Sequence, residues 1–212
     1  IMDEQPIGYE GGRIGMVQLE LAYDGRDREA STTRGIYASL AARAAHQTLG
    51  SLWAFVGTTA LLRGYWSPLR AAHYLVFAGR WVLDLMWGDV PVTFLPTFGG
   101  RERIEGLGGA FANRGIPYSR YVGQAKMLIN LEVRSRILRL RPRDHLLDFW
   151  LVGYCDVGRV WAEVAPDGDV WRFHPAYGGG LRIGWEEDYI LRVDVGGSPD
   201  GFGVYLQFDQ LF

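Results

Sequence analysis

Arg114 stands in Asn113-Arg114-Gly115-Ile116-Pro117, with Gly108 and Gly109 just upstream, inside a stretch from 85 to 122 that shows no regular period. A stretch of that length exceeds an ordinary connection and calls for a role of its own. Its glycines let the backbone turn tightly or lie close against a wall. If the stretch folds back into a confined space, Arg114 becomes a cation that needs a fixed carboxylate, and a guanidinium–carboxylate pair can be bidentate. Asp156 is the candidate partner, because Trp150, Val152, Tyr154 and Asp156 share one face of an alternating segment that ends near Gly158. The competing reading leaves Arg114 as a solvated loop residue. Little else offers chemistry. His46, His73, His145 and His174 are far apart and lack metal-ligand spacing. Serine and histidine do not combine into a nucleophile motif, and Cys155, the single cysteine, has no partner for an intrachain disulfide. No catalytic residue, cofactor or metal is expected.

The elements that would position these residues are strands. The chain has 212 residues, one domain by size, and a net charge of −2 that gives no attraction toward nucleic acid. Hydrophobic residues make up 48% and aromatics 14%, high values beside 29 glycines and 9 prolines. No window holds the ~18 uninterrupted apolar residues of a spanning helix. Apolar residues instead recur at every second position, which is how a barrel wall escapes hydropathy plots. The start at Ile1, without a basic and then apolar leader, is expected to be a processing or truncation point, with no periplasmic domain in the chain.

Alternation predicts strands over 14–24, 51–64, 71–84, 123–139, 147–162, 175–186, 188–197 and 202–212, and the alanine-rich 35–46, which reads as either helix or strand, is taken as a strand. In 202–212, Val204, Leu206, Phe208 and Phe212 share one face, with Gln210 its single polar member. Ile129, Leu131, Val133 and Ile137 likewise oppose Asn130, Glu132, Arg134 and Arg136. Tyr37, Ser39 and Arg43 are expected to point inward, with Cys155 toward lipid. Most tryptophans (Trp53, Trp66, Trp81, Trp87, Trp150, Trp161, Trp171, Trp185) lie near strand ends, as interfacial girdles do. Charged residues in register on successive strands suit a water-filled lumen. The fold class expected is therefore all-β, an antiparallel transmembrane β-barrel spanning 1–212, with 85–122 as a long lumen-directed loop. It opens on the side opposite the carboxyl end. Acidic Glu186-Glu187-Asp188 forms a tight near-side turn. A count of about nine is odd where bacterial single-chain barrels are even, so the chain is expected to be the carboxyl-terminal part of a larger barrel of some sixteen strands. The alternatives are a miscounted strand or closure with a second copy.

Several ordered motifs resemble one family. Gly108-Gly109, four residues, then Arg114-Gly115-Ile116 is similar to the GG-x4-RG-[FY] loop of the BamA and two-partner-secretion barrel superfamily, also called the bacterial surface-antigen family. Tyr154-x-Asp156-x-Gly158 resembles its F-x-D-x-G strand, and Tyr23-Asp24-x-Arg26-Asp27 with Arg34-Gly35 its D-x-R-D…P-x-x-G turn. Gly178-Gly179-Gly180-Leu181-Arg182 resembles its G-x-G-[LI]-R strand, and Phe212 the terminal aromatic of a barrel-assembly signal that includes Val204, Leu206 and Phe208. The likeness runs from about residue 14 to 212, and five motifs in order make it specific. Ile116, Tyr154 and Thr32 or Thr33 depart from the usual aromatic, phenylalanine and proline. The resemblance implies a loop tucked into the lumen with Arg114 paired to Asp156, and a lateral seam between first and last strands in full-length members. It implies an outer-membrane location and a role in protein insertion, assembly or secretion, with lipid, client proteins, periplasmic POTRA or accessory subunits, or a second barrel copy as partners. The alternative is a passive anchor for an upstream lipase-like effector.

Overall fold

In the computed structural model, which describes residues 5–68, 74–101, 104–164, 172–186 and 189–212, every strand pairs antiparallel with the next in sequence. The order is β1 (Met16–Asp24), β2 (Gly35–Ala45), β3 (Phe55–Trp66), β4 (Leu75–Gly88), β5 (Ala125–Leu140), β6 (Leu147–Trp161), β7 (His174–Trp185), β8 (Tyr189–Ser198) and β9 (Gly201–Phe208). They form one nine-stranded sheet, and among the described residues β1 and β9 are its two edges. His73, Trp171, Glu187 and Asp188 lie outside the described residues.

The polarity of the wall is that of a membrane barrel. In β3, Val56, Leu62 and Trp66 are exposed while Thr59, Arg63 and Tyr65 between them are buried. Leu131 on β5 is 55% exposed, and its neighbours Asn130 and Glu132 are inaccessible. Since successive strand residues point to opposite faces, one face carries the aliphatics and the other the ions. Tyr37 and Arg43 are buried on the concave side, and Cys155 is exposed on the convex side. Charged groups are shielded on that inner face because they meet one another and the in-turned loop. The interior is thus packed and polar rather than an open water channel. Trp53, Trp66, Trp87, Trp161 and Trp185 sit at or next to strand ends, and Trp150 lies close to one, whereas Trp81 is in mid-strand.

Three of the departures from the alternation have a local cause. Strand β3 begins at Phe55, because Ser51 bonds the backbone of Trp53 and holds 51–54 in a turn. Strand β4 runs on to Gly88, whose φ of 98° ends it, so the long loop covers 89–124. A bulge lies between Arg136 and Leu138. The extra residue resets the alternation, so that Arg139 joins Arg136 beside Asp148, at 2.6 and 3.8 Å.

The carboxyl end needs correction. Val204, Leu206 and Phe208 lie on the exposed face, Phe208 at 78%, but Phe212 is only 7% exposed. Strand β9 stops at Phe208, and Asp209 adopts a φ of 68°, which turns the chain inward. Phe212 then packs with Leu211, Tyr65 and Ala78. Arg80 and Arg134 donate to the carbonyls of Leu211 and Phe212, each at 3.2 Å. Gln210 likewise leaves the outer face and accepts from Arg182 Nε. Alternation across 202–212 failed because the backbone changes hand at Asp209.

Candidate functional site: the loop clamp

Loop 89–124 enters the concave side, where two ionic clusters hold its described residues. The first centres on Arg114, fully buried. Its Nε and its second terminal nitrogen meet the two oxygens of Asp156 at 2.8 and 3.0 Å, and its backbone amide donates to the same carboxylate at 3.1 Å. The remaining nitrogen donates to Glu132 at 2.6 Å and to Asp194 at 3.1 Å. Carboxylates from β5, β6 and β8 thus surround one guanidinium, whose centre lies 3.4 Å from the middle of the Tyr154 ring. Charge-assisted bonds of this kind are about twice as strong as neutral ones and fix direction as well as distance.

Consecutive loop carbonyls are held too. Arg192 donates to Ala110 O, Arg80 to Phe111 O and Asn130 to Ala112 O, at 3.0, 2.7 and 2.8 Å. Asn130 also donates to Asp156 at 2.7 Å, joining the backbone clamp to the ion cluster. The loop's glycines make this approach feasible. Gly115, at φ 103°, lies so near β8 that a Cβ would sit 2.7 Å from Gly197 N. Its amide donates to Tyr205 Oη at 2.9 Å, and its carbonyl accepts from Ser198 Oγ. Gly108 and Gly109 have φ of 116° and 93°, and the Gly109 amide closes onto Ile116 O at 3.0 Å. Ile116 is buried where the family pattern has an aromatic, and Gly158 leaves room for Asn113, since a Cβ there would lie 2.8 Å from its Oδ1.

Two of the four glycines of β7, Gly178 and Gly180, serve the same packing. A Cβ on Gly178 would collide with Val195 O and lie 2.5 Å from Tyr154 Oη. Gly178→Ala is therefore expected to cost about 1–3 kcal/mol by overpacking. Urea unfolding in detergent checks this, and an unchanged midpoint would contradict the packing account.

The second anchor is Asp84. It accepts from Arg43 at 2.9 and 3.1 Å, from Thr59 Oγ1 at 2.6 Å and from the Gly99 amide at 3.2 Å, with Lys126 Nζ 3.0 Å away. Alternation predicts an inward Arg43 but not that it meets Asp84 across three strands and helps to hold the loop. Glu132, Asp194 and Asn130 were likewise legible only as inward residues.

The turn between β1 and β2 is a separate construction. Arg26 forks Asp24 at 2.9 and 2.7 Å, while Asp27 accepts from Thr33 N, Thr33 Oγ1 and Arg34 N at 2.9, 2.6 and 3.1 Å. Burial alone would raise the Asp27 pKa, but these bonds outweigh it and hold the group below its usual 3.8. A depressed folded-state pKa adds stability that is present above the unfolded value and lost as pH falls through the folded one. Protection of the Thr33 and Arg34 amides, corrected for intrinsic exchange, should collapse below that range, and Asp27→Asn should flatten the dependence. Persistent protection in acid would count against the bonds.

The histidines are scattered. His46 caps a 3-10 turn over Gln47–Leu49, His145 bonds Glu186 at 3.0 Å, and His174 stacks on Tyr121. Among the described residues no group of His, Cys, Asp and Glu is placed to hold a metal.

Comparison with known proteins bears on the family and the fold. The family model described as the Omp85 superfamily domain matches residues 16–189, from β1 to the start of β8. No curated protein matches. Among solved structures, the crystal structure of BamA from Haemophilus ducreyi lacking POTRA domains 1-3 has a TM-score of 0.65 and 18% identity, covering 92% of this chain and 41% of that one. That likeness is one of fold, and this chain spans less than half the length of the matched chain. A nine-stranded wall with an apolar outer face, together with a family match over most of its length, makes the chain an outer-membrane β-barrel region that belongs to the Omp85 superfamily.

Proposed function

We propose that this barrel region assists the insertion or translocation of proteins at the outer membrane, and that it does so without enzymatic chemistry. The supporting observation is the doubly anchored loop, a buried ionic clamp inside a wall that is otherwise a simple meander. Burying so many charges is costly and does little for stability compared with an apolar filling. Such a clamp suits a device that must hold one segment in one position. The mechanism is strand addition: among the described residues β9 is an edge of the sheet, and a client strand that pairs with it satisfies amides that hydrocarbon cannot. The loop braces the wall from within. Outer-membrane lipid and client barrel proteins are the partners this requires.

The test uses the full-length parent protein with photo-crosslinking residues at Val204 or Leu206 on β9, and at Leu131 in the middle of the sheet as control. Adducts with a nascent outer-membrane protein are expected at β9 and not at Leu131. Equal labelling at both would overturn the reading.

A further inference from the structure

Beyond Phe208 the chain leaves the wall, and arginines from three different strands hold its next residues. Arg182 on β7 donates to Gln210 Oε1 at 3.3 Å, Arg80 on β4 to Leu211 O at 3.2 Å, and Arg134 on β5 to Phe212 O at 3.2 Å. The Phe212 ring lies 5.2 Å from the guanidinium centres of both Arg80 and Arg134. Loop carbonyls 110–112 are held in the same manner, and one side chain belongs to both rows. Arg80 engages all three guanidinium nitrogens: Nε donates to Asn130 Oδ1 at 2.9 Å, one terminal nitrogen to Leu211 O, and the other to Phe111 O at 2.7 Å. Its side chain is buried, and Asn130 in turn donates to Ala112 O and Asp156. Arg134 and Arg182 reach the loop only through Glu132, a partner of Arg114, whereas Arg80 bonds both segments directly.

We propose that Arg80 is a positioning residue that joins the loop tip, 110–114, to the inturned segment 209–212, so that the two hold or release together. A guanidinium is planar, and its N–H donors point in fixed directions. With Nε tied to Asn130 on β5, the two terminal nitrogens set where both carbonyls can lie. Displacing either segment leaves a buried, charged donor without its acceptor, and that penalty exceeds the net worth of the bond that was lost. Each segment thereby favours the arrangement of Arg80 that the other needs. A coupling of this kind is a free energy shared between two places, and it acts equally in both directions. Its consequence lies at the edge of the sheet. The segment follows β9 directly, with the Asp209 amide still donating to Ile190 O at 2.8 Å. The loop thus reaches the near-side end of β9 through Arg80, as well as its middle through Tyr205.

The inference does not rest on the transport reading, because its test needs no client. The full-length parent protein in detergent carries Phe212→Ala, which empties the aromatic seat and leaves Arg80 and the loop residues unchanged. Hydrogen exchange is followed at the amides of Gly109 and Ala112, both bonded within the loop. Exchange there is expected to rise about tenfold, an ordinary size for coupling between two sites. In an Arg80→Lys background, Phe212→Ala should raise it no more than about twofold, since an ammonium lacks the planar pair of donors that spans the two carbonyls. Comparing the backgrounds isolates the coupling. A merely structural role for Arg80 would raise exchange throughout and leave the effect of Phe212→Ala unchanged. The reverse direction is read at Leu211→Cys in an otherwise cysteine-free background, where the thiol takes the place of a buried side chain. Arg114→Ala should speed its reaction with a water-soluble maleimide by a similar factor. Unchanged exchange in Phe212→Ala, an equal rise in both backgrounds, or a maleimide rate indifferent to Arg114 would each overturn the proposal.

Discussion

Arg114→Ala should free the loop tip while leaving the strands in place. The substitution leaves Asp156 buried without its forked cation and with Asn130 as its remaining side-chain donor, whereas Glu132 and Asp194 keep Arg134, Arg182 and Arg192. Removing one partner from a buried ionic arrangement costs about 3–5 kcal/mol, more than the net worth of the pair, because the opposite charges remain desolvated. The Tyr154 ring also loses the guanidinium it faces. Limited proteolysis should cut within 89–124, at sites silent in the wild type, with little change in far-ultraviolet dichroism. Arg114→Lys should recover only part of the resistance, since an ammonium supplies the charge without the planar fork. A double-mutant cycle with Asp156→Asn isolates the pairwise coupling. Wild-type resistance in Arg114→Ala would refute the clamp.

Asp84→Ala should have an effect of similar size at the other end of the loop. It leaves Arg43 and Lys126 buried without their common carboxylate, and it removes the acceptor of Thr59 Oγ1 and the Gly99 amide. The expected cost is again about 3–5 kcal/mol. Hydrogen exchange distinguishes the anchors: amides around Phe98 and Gly99 should lose protection while Gly115, held by Tyr205, keeps it. Asp84→Asn retains an acceptor for Thr59 but not the charge, so it should fall between. Simultaneous loss of protection at both places would show that the loop behaves as one cooperative unit rather than as two independently fixed ends.

Much of this architecture was readable before any coordinates. The nine strands follow from period-two alternation, since a wall between lipid and a polar interior must place unlike residues at successive positions. The pairing of Arg114 with Asp156 was also anticipated, from a long aperiodic stretch and one inward carboxylate. The rest was hidden for definite reasons. Glu132 and Asp194 lie on strands far apart in sequence, and only the curl of the sheet brings them to one guanidinium. The meeting of Arg43, Asp84 and Lys126 depends on register between neighbouring strands, which alternation leaves free. Arg139 turns inward through a one-residue bulge, and Phe212 through a positive φ at Asp209. Single-residue changes of backbone state of this sort invert the parity of everything after them, and no pattern of side-chain types announces them.

Arg114 is joined to Asp194, 80 residues later in the chain, and Gly115 to Tyr205, 90 residues later. The segment that braces the interior is made before β6 to β9, yet it has no complete seat until β8 and β9 arrive. Contacts of such long sequence separation form slowly, because chain closure must precede any gain. The brace and the second half of the wall must therefore mature together, with the later strands wrapping around a segment already lying across their path.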